Sequence, residues 1–293
     1  MSEKVKTARL SIYSNTLLII LNLVVGLFSG SISIISEAIH TVIDLLASIM
    51  AYFSVKVSDK SADDIHQYGH GKFENISGVI EAILIFIASG WIIYHAVSRL
   101  LNPSEFVNHI GLGLGLAVMV ISAVVNYFVS RRIFLIAKKT DSVALKADAL
   151  HLSTHVYTSL GVGLSLLLIY FTGWHFLDPV AAIVVASYIL REAYEILLEA
   201  FKPLTDNALP IEEQRIIKEI ILRHTRTDDK FHMMRTRKAG ANREVDFHLE
   251  VPGDMSVSKA HELCDLIEKE VKTALPNIQI TIHVEPEGYH SGN

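Results

Sequence analysis

Six long, largely apolar segments follow one another along the first two thirds of the chain. Each is close to the roughly 20 residues that an α-helix needs to cross a bilayer. The third is interrupted by Glu81 and the fourth by Asn126, and single polar residues of this kind usually face the interior of a helix bundle. The pattern predicts an all-α transmembrane bundle with spans at residues 10–29, 32–55, 76–100, 109–132, 145–171 and 178–201.

The pattern changes after Lys202-Pro203, and residues 206–293 predict a separate soluble domain beside the membrane domain of residues 1–205. Pro210 and the early acids after it favour a helix start, and Ser256 or Ser258 is a candidate cap for a second helix. The α-β-β-α-β order is typical of a ferredoxin-like α+β domain. The predicted elements are a helix from 210 to 224, strands at 230–237 and 243–251 joined by a turn at 240–242, a helix at 256–274 and a strand at 277–285.

Composition agrees with a membrane protein and limits the chemistry. The chain has 293 residues, 51% of them hydrophobic, and its mean hydropathy of +0.37 is too high for an ordinary soluble domain. The net charge of -5 gives no indication of a nucleic-acid partner. Cys264 is the one cysteine, which excludes an intrachain disulfide and a cysteine-rich zinc site within one chain. The 14 histidines make their placement the main question.

Basic residues predict the orientation of the bundle. They are concentrated before the first span and in the linkers after the second and fourth spans. By the positive-inside rule both termini are cytoplasmic, as an even number of spans requires, and the cell (inner or plasma) membrane is the expected location. These residues are Lys4, Lys6, Arg9, Lys56, Lys60, Lys72, Arg131, Arg132, Lys138, Lys139 and Lys146.

Two spans carry matched pairs of metal-ligand residues. His40 and Asp44 lie four residues apart in the second span, and His151 and His155 have the same spacing in the fifth. Residues four apart share one helix face, so two such helices can bring four donors together around one ion. The alternative is that these groups are unrelated and stabilise helix packing, but the matched pairs favour a metal site. Glu37 extends the face of His40 and Asp44, and Asp148 lies one turn before His151; solvation near a helix end is the alternative for both carboxylates.

Three imidazoles and one carboxylate suit Zn²⁺, Fe²⁺, Co²⁺, Ni²⁺ or Cd²⁺ better than Mg²⁺ or Ca²⁺, which prefer oxygen ligands. A ligand must lose its proton to hold a metal, so protons and metal compete for the site. We therefore expect proton–metal antiport by alternating access. No H-E-x-x-H motif or open coordination position indicates a metalloenzyme, and none is expected.

Two further groups of candidate ligands lie outside the spans. Asp63, His66 and His70 fall in the linker after the second span, where Gly69 and Gly71 allow tight turns; a solvated loop is the alternative. In the soluble domain, period-two alternation places polar residues on one outer sheet face. A solvated face is the alternative there to a metal site that senses metal or joins a dimer. The candidates in this domain are His232, His248, His261, His283 and Glu285.

Together these residues resemble the cation diffusion facilitator family. The resemblance covers nearly the whole chain and includes the paired ligands and the stretch H-x-Y-G-H-G-K-x-E from His66 to Glu74. It implies a homodimer that exports zinc and similar divalent cations from the cytoplasm by using the proton gradient. It also implies a transport site at His40, Asp44, His151 and His155, a loop site at Asp63, His66 and His70, and a binuclear cytoplasmic site at His232, His248, His261, His283 and Glu285.

This chain departs from the familiar bacterial pattern of the family at three positions. His40 and His155 stand where that pattern has aspartates, which makes the transport site less anionic by two charges when the imidazoles are neutral. Glu285 stands where an aspartate is usual. The remaining alternatives are an exporter selective for iron, cobalt, nickel or cadmium, a passive uniporter or channel with the same ligands, and a metal sensor without transport.

Overall fold

The computed structural model describes residues 2–29, 32–101, 112–174, 176–225 and 230–288. The chain forms two compact units, Met1–Phe201 and Lys202–Asn293.

The first unit consists of six long helices, at the positions that the apolar segments predict. Five of them are long and apolar enough to cross a membrane, if the second is counted from Glu37, the fourth from Ala117 and the fifth as far as Ile169. The last carries Asp178, Arg191, Glu192, Glu195 and Glu199, so its crossing of the membrane stays a prediction. Residues 109–111 of the fourth predicted span lie outside the described residues. The helices are α1 (Glu3–Ser29), α2 (Ile32–Ser58), α3 (Lys72–Leu101), α4 (Leu112–Thr140), α5 (Val143–Thr172) and α6 (Leu177–Phe201).

Polar residues lie inside this bundle and large apolar side chains lie on its outer surface. Glu81 is 1% exposed and Asn126 is 3% exposed, which confirms that both face the interior. By contrast, Phe28 is 91% exposed. This distribution is the one expected of helices whose outer surface faces lipid.

Helix α5 is defined by its two caps. The Ser142 hydroxyl accepts a hydrogen bond from the Leu145 backbone N–H at the N-terminus. Gly173 ends the helix with a φ of 71°, a left-handed conformation that glycine adopts without a steric penalty. These caps set the register that places His151 and His155 on the inward face of α5.

The second unit is an α+β domain with a three-stranded sheet, as the sequence predicts. This unit begins with a short 3₁₀ helix (Lys202–Thr205), which the sequence did not predict. Strands β1 and β2 are antiparallel, whereas β2 and β3 are parallel, so the chain crosses over through the second helix of the domain. The elements are α7 (Ile211–Thr225), β1 (Phe231–Ala239), β2 (Asn242–Val251), α8 (Val257–Ala274) and β3 (Ile278–Pro286).

One hydrophobic core joins the sheet to α7 and α8. Phe247, Leu249 and Ile267 are almost fully buried within it. Ser256 caps α8 by accepting a hydrogen bond from Lys259 N–H, which selects it over Ser258. The opposite face of the sheet carries His232, His248 and His283, whereas the candidate His261 lies on α8.

Candidate metal centres

The paired ligands of α2 and α5 meet around Asp44. The carboxylate of Asp44 is 2% exposed, and His151 Nε2 lies 3.0 Å from Oδ1 while His155 Nε2 lies 3.3 Å from Oδ2. His40 Nε2 is 4.0 Å from Asp44 Oδ1. Ligand atoms of His40, Asp44 and His155 all lie within 4.8 Å of one another. The structure therefore brings all four predicted residues of this group together.

These four side chains differ in their exposure. The side chain of His151 is 15% exposed and that of His155 is 23% exposed, whereas His40 is 54% exposed. His40 is thus the most accessible donor, and Asp44 is the deepest. An arrangement of three imidazoles around one carboxylate provides the nitrogen and oxygen donors that zinc and similar ions prefer.

A polar cavity of about 240 Å³ lies beside this group. Asp44 and His155 contribute to its wall, and α1, α2, α4 and α5 supply the remaining side chains. The cavity provides a polar space next to the candidate ligands. Its other polar lining residues are Asn15, Glu37, Thr41, Ser122, Asn126, Thr158 and Ser159.

A second polar group surrounds Asp148, one turn before His151 on α5. The Ser11 hydroxyl donates a hydrogen bond to Asp148 Oδ1 at 2.9 Å, and Ser48 contacts the same oxygen at 3.4 Å. Asp148 is 1% exposed, so the alternative in which it is solvated near a helix end is wrong. Buried carboxylates need such donors because an unpaired charge at membrane depth is costly.

The linker between α2 and α3 brings Asp63, His66 and His70 together. His70 Nε2 lies 3.3 Å from Asp63 Oδ2, and His66 Nδ1 lies 3.5 Å from Asp63 Oδ1. Ligand atoms of the three residues lie within 4.8 Å of one another. Gly69, with a φ of 83°, provides the left-handed turn just before His70.

Asp63 also organises the backbone of this linker. The His66 N–H donates to Asp63 Oδ1 at 2.6 Å, and the Ile65 N–H donates to it at 3.0 Å. These backbone hydrogen bonds, with the nearby imidazoles, lower the pKa of Asp63 below its usual value. The carboxylate is therefore ionised and preset in a turn. His70 is 5% exposed, and its buried Nδ1 has no hydrogen-bond partner among the residues that the structure describes.

The third group lies across the sheet of the second unit. His232, His248 and His283 stand in register on β1, β2 and β3. Glu285 reaches all three: its Oε1 is 2.9 Å from His248 Nδ1 and 3.4 Å from His283 Nε2, and its Oε2 is 3.3 Å from His232 Nε2. Because it lies among these rings, Glu285 is 5% exposed, although strand alternation predicts an outer position.

His261 is not brought into this group within the described part of the chain. It lies on α8 with its side chain 75% exposed, and its Nε2 is 3.8 Å from Asp265 Oδ2. A cavity of about 630 Å³ has both His261 and Glu285 in its wall. His283 contacts Glu285 but its side chain is 65% exposed, so His232, His248 and Glu285 form the compact part of the group.

Sequence reasoning missed the carboxylate of Glu74 at the first turn of α3. It is 1% exposed and accepts hydrogen bonds from Lys4 Nζ at 2.8 Å and from the hydroxyls of Ser58 and Ser142. Four elements of the bundle meet there. The signal available in the sequence was an acid at the start of an apolar helix, which is too common to identify a partner 70 residues away.

Two family models match this chain and together cover most of its length. The family model described as the cation efflux transmembrane domain matches residues 8–205. A second model, described as the cytoplasmic domain of cation efflux proteins, matches residues 209–287.

Individual relatives cover most of the chain. An uncharacterised transporter of Synechocystis sp. is 34% identical over 88% of this chain and 82% of its own. The cation-efflux pump FieF of Shewanella oneidensis is 30% identical over 95% of this chain and 93% of its own. A solved structure of CzrB, described as a zinc transporter, in its zinc form is 41% identical, with a TM-score of 0.27, and covers 30% of this chain and 99% of its own. The chain belongs to the cation efflux family of divalent-metal transporters, also called cation diffusion facilitators.

Proposed function

We propose that this protein exports divalent transition-metal ions, zinc foremost, from the cytoplasm across the cell membrane in exchange for protons. The observation that supports this most directly is the buried Asp44 carboxylate contacted by His151 and His155, with His40 in reach. We assign these four residues as the transport site. The FieF relative is named a cation-efflux pump, which supports the direction of transport.

The donor set favours zinc. Imidazole nitrogens with one carboxylate oxygen suit a four-coordinate ion of intermediate softness, and zinc accepts this tetrahedral set without a preference from its d-electrons. Iron, cobalt, nickel and cadmium accept the same donors, so they are the alternative cargoes. Magnesium and calcium require more oxygen ligands than these four residues supply.

Proton exchange follows from the same ligands. An imidazole that carries a proton on its donor nitrogen cannot coordinate metal, so release of metal and binding of protons are linked. Both events occur at one site, and the alternating-access mechanism exposes this site to each side of the membrane in turn. A passive uniporter that uses the same ligands is the alternative, and it would not respond to protons in this way.

The other two groups have separate roles in this proposal. Asp63, His66 and His70 bind a metal ion in the cytoplasmic linker. His232, His248, His283 and Glu285, with His261, bind metal on the cytoplasmic domain and favour association of two copies of the chain. A bound ion shifts the equilibrium between separate and associated chains only through its different affinity for these two states.

In this proposal both termini are cytoplasmic.

A metal panel in proteoliposomes tests the proposal. Purified protein is reconstituted, and the flux of zinc, iron, cobalt, nickel and cadmium is measured with and without an imposed pH gradient. We expect the largest flux for zinc, increased by the gradient. A flux that does not respond to the pH gradient would contradict antiport, and a larger flux of another metal would replace zinc as the cargo.

Two substitutions test the site. Asp44→Ala and His155→Ala should nearly abolish transport while leaving the protein folded and dimeric in size-exclusion chromatography. Wild-type flux in both variants would overturn the assignment of the transport site.

A further inference from the structure

Glu37 is an acidic residue on the wall of the cavity that borders the transport site. It lies on α2, one turn before His40 and Thr41, and shares the cavity wall with Asp44 and His155. Its backbone is held in the helix, since Thr41 Oγ1 donates to the Glu37 carbonyl at 2.9 Å.

The four proposed transport ligands carry too little negative charge to neutralise a divalent ion without a second acid. Three imidazoles are neutral when they coordinate metal, so Asp44 is the only ligand with a negative charge among the four. A divalent ion on these ligands leaves one uncompensated positive charge in the bundle. An uncompensated charge at membrane depth is unfavourable, and a nearby opposite charge offsets it.

Asp148 is a further buried carboxylate of the bundle, on α5, but it is placed differently. It does not line the described cavity, and the hydroxyls of Ser11 and Ser48 contact its Oδ1. Glu37, by contrast, faces the same polar space as Asp44 and His155. It therefore interacts with an ion at these ligands through the cavity rather than across packed side chains.

Asn126 supplies an independent indication that this cavity accommodates a cation. It lies on α4 in the cavity wall, is 3% exposed, and its Oδ1 has no hydrogen-bond partner among the described residues. A buried amide oxygen without a donor is unfavourable unless a ligand or its hydration water provides one. Ser122, Thr158 and Ser159 add further oxygens to the same wall.

We propose that Glu37 provides the second negative charge for the divalent ion at the transport site, acting across the polar cavity that Asn126 also lines. This inference rests on the proposed function. It makes Glu37 a positioning and affinity-determining residue that acts through the field in the cavity rather than as a direct ligand. The carboxylate thus offsets the low negative charge of a site built mainly from histidine.

Zinc transport in proteoliposomes without a pH gradient tests this role. Glu37→Gln keeps the size of the side chain and removes its charge. We expect it to raise the zinc KM about tenfold, equivalent to about 1.4 kcal/mol, while kcat stays within about threefold of wild type. Glu37→Asp, which retains the charge, should raise KM by less than about threefold. The outer-surface control Glu195→Gln, which removes a carboxylate 3.6 Å from Arg191, should leave KM unchanged.

Relocating the charge separates an electrostatic role from a structural one. In the double variant Glu37→Gln, Thr41→Asp, a carboxylate returns one turn away on the same cavity wall, and we expect KM to fall back to within about threefold of wild type. An unchanged KM in Glu37→Gln would overturn the inference, as would a raised KM that the second substitution does not lower.

Asp44→Asn, measured in parallel, distinguishes this inference from the proposed function. Loss of transport in Asp44→Asn with a wild-type KM in Glu37→Gln would overturn the role of Glu37 alone. Wild-type transport in Asp44→Asn would overturn the transport site itself and the role of Glu37 with it.

Discussion

Two buried carboxylates of the bundle, Glu74 and Asp44, differ in the side chains that contact them. This difference determines whether the negative charge stabilises the fold or is available to a metal ion. Glu74 accepts hydrogen bonds from one ammonium group and two hydroxyls, so its negative charge is matched by Lys4. Asp44 has imidazole nitrogens as its contacts and no lysine or arginine among its described ion-pair partners. A permanently paired carboxylate stabilises structure, whereas one surrounded by imidazoles is available to a divalent ion.

Removal of the Glu74 side chain should destabilise the bundle. The Lys4 side chain is only 13% exposed and would lose its closest carboxylate while keeping Asp59 at 3.0 Å, so we expect Glu74→Ala to cost about 2 kcal/mol. The measurement is the midpoint of unfolding in detergent. The control is Glu3→Ala, which breaks the exposed pair with Lys139 and should cost less than about 1 kcal/mol. Equal midpoints for the two variants would show that the Lys4–Glu74 pair does not stabilise the bundle.

At the scale of elements, small residues set how closely the helices approach. Ala82, Ala147 and Ala193 lie in one buried cluster at the contact of α3, α5 and α6. Without a strong hydrophobic effect between helices in lipid, close packing of such residues provides much of the association energy. Gly161 on α5 is part of this packing, because a Cβ added there would lie 2.7 Å from Val185 Cγ2 on α6.

Two glycines of α5 provide a matched test of this packing. Gly163 has nothing within 4 Å of an added Cβ, so Gly163→Ala should stabilise the helix by up to about 1 kcal/mol. Gly161→Ala gains the same helix propensity but clashes with Val185, and overpacking typically costs about 1–3 kcal/mol. We expect opposite shifts of the thermal unfolding midpoint. The Gly161 effect should shrink in a Val185→Ala background, and an unchanged effect there would exclude this contact as its cause.

At the scale of the whole molecule, the ligand groups divide between two units that each have their own core. The membrane unit holds the Asp44 group and the linker group, and the cytoplasmic unit holds the histidines of the sheet. Separate cores allow metal at the sheet to change the association of two chains without repacking the transport site. Regulation and transport should therefore respond differently to substitutions in the sheet.

Loss of a sheet ligand should weaken metal-driven association more than transport. If zinc at about 100 times its dissociation constant binds only the associated form, it favours this form by about 2.7 kcal/mol. His248→Ala should lose most of this effect, measured as the zinc-dependent distance between labels on two full-length chains. His224→Ala, which removes a histidine paired with Glu270 on the helices, should keep it. Parallel loss of association and transport in His248→Ala would instead indicate a folding defect.

Thiol labelling can test the predicted orientation without removal of the native cysteine. Cys264 is 7% exposed, and burial together with Glu268 and Asp265 raises the pKa of its thiol, so it reacts slowly at neutral pH. A membrane-impermeant reagent should label Lys60→Cys only from the cytoplasmic side and Trp174→Cys only from the opposite side. Labelling of both positions from the same side would contradict the predicted topology.

The sequence by itself determined the elements and the local pairs of ligands. Apolar segments and the alternation of strands depend on neighbours in the chain, and the spacing of four residues places His40 with Asp44, and His151 with His155, on one helix face. For this reason the α-helices, the order of the strands along the chain and the candidate ligands were predictable.

Only the tertiary structure decided which of these groups meet. Asp44 and His151 are 107 residues apart, and the packing of α2 against α5 brings them together. Strand register places Glu285 among three imidazoles and buries it, while His261 stays exposed on α8. Asp148 Oδ1 is contacted by the hydroxyls of Ser11 and Ser48, which lie on two other helices. Such contacts depend on how segments that are distant in the chain pack together, and the local periodicity of the sequence does not specify this packing.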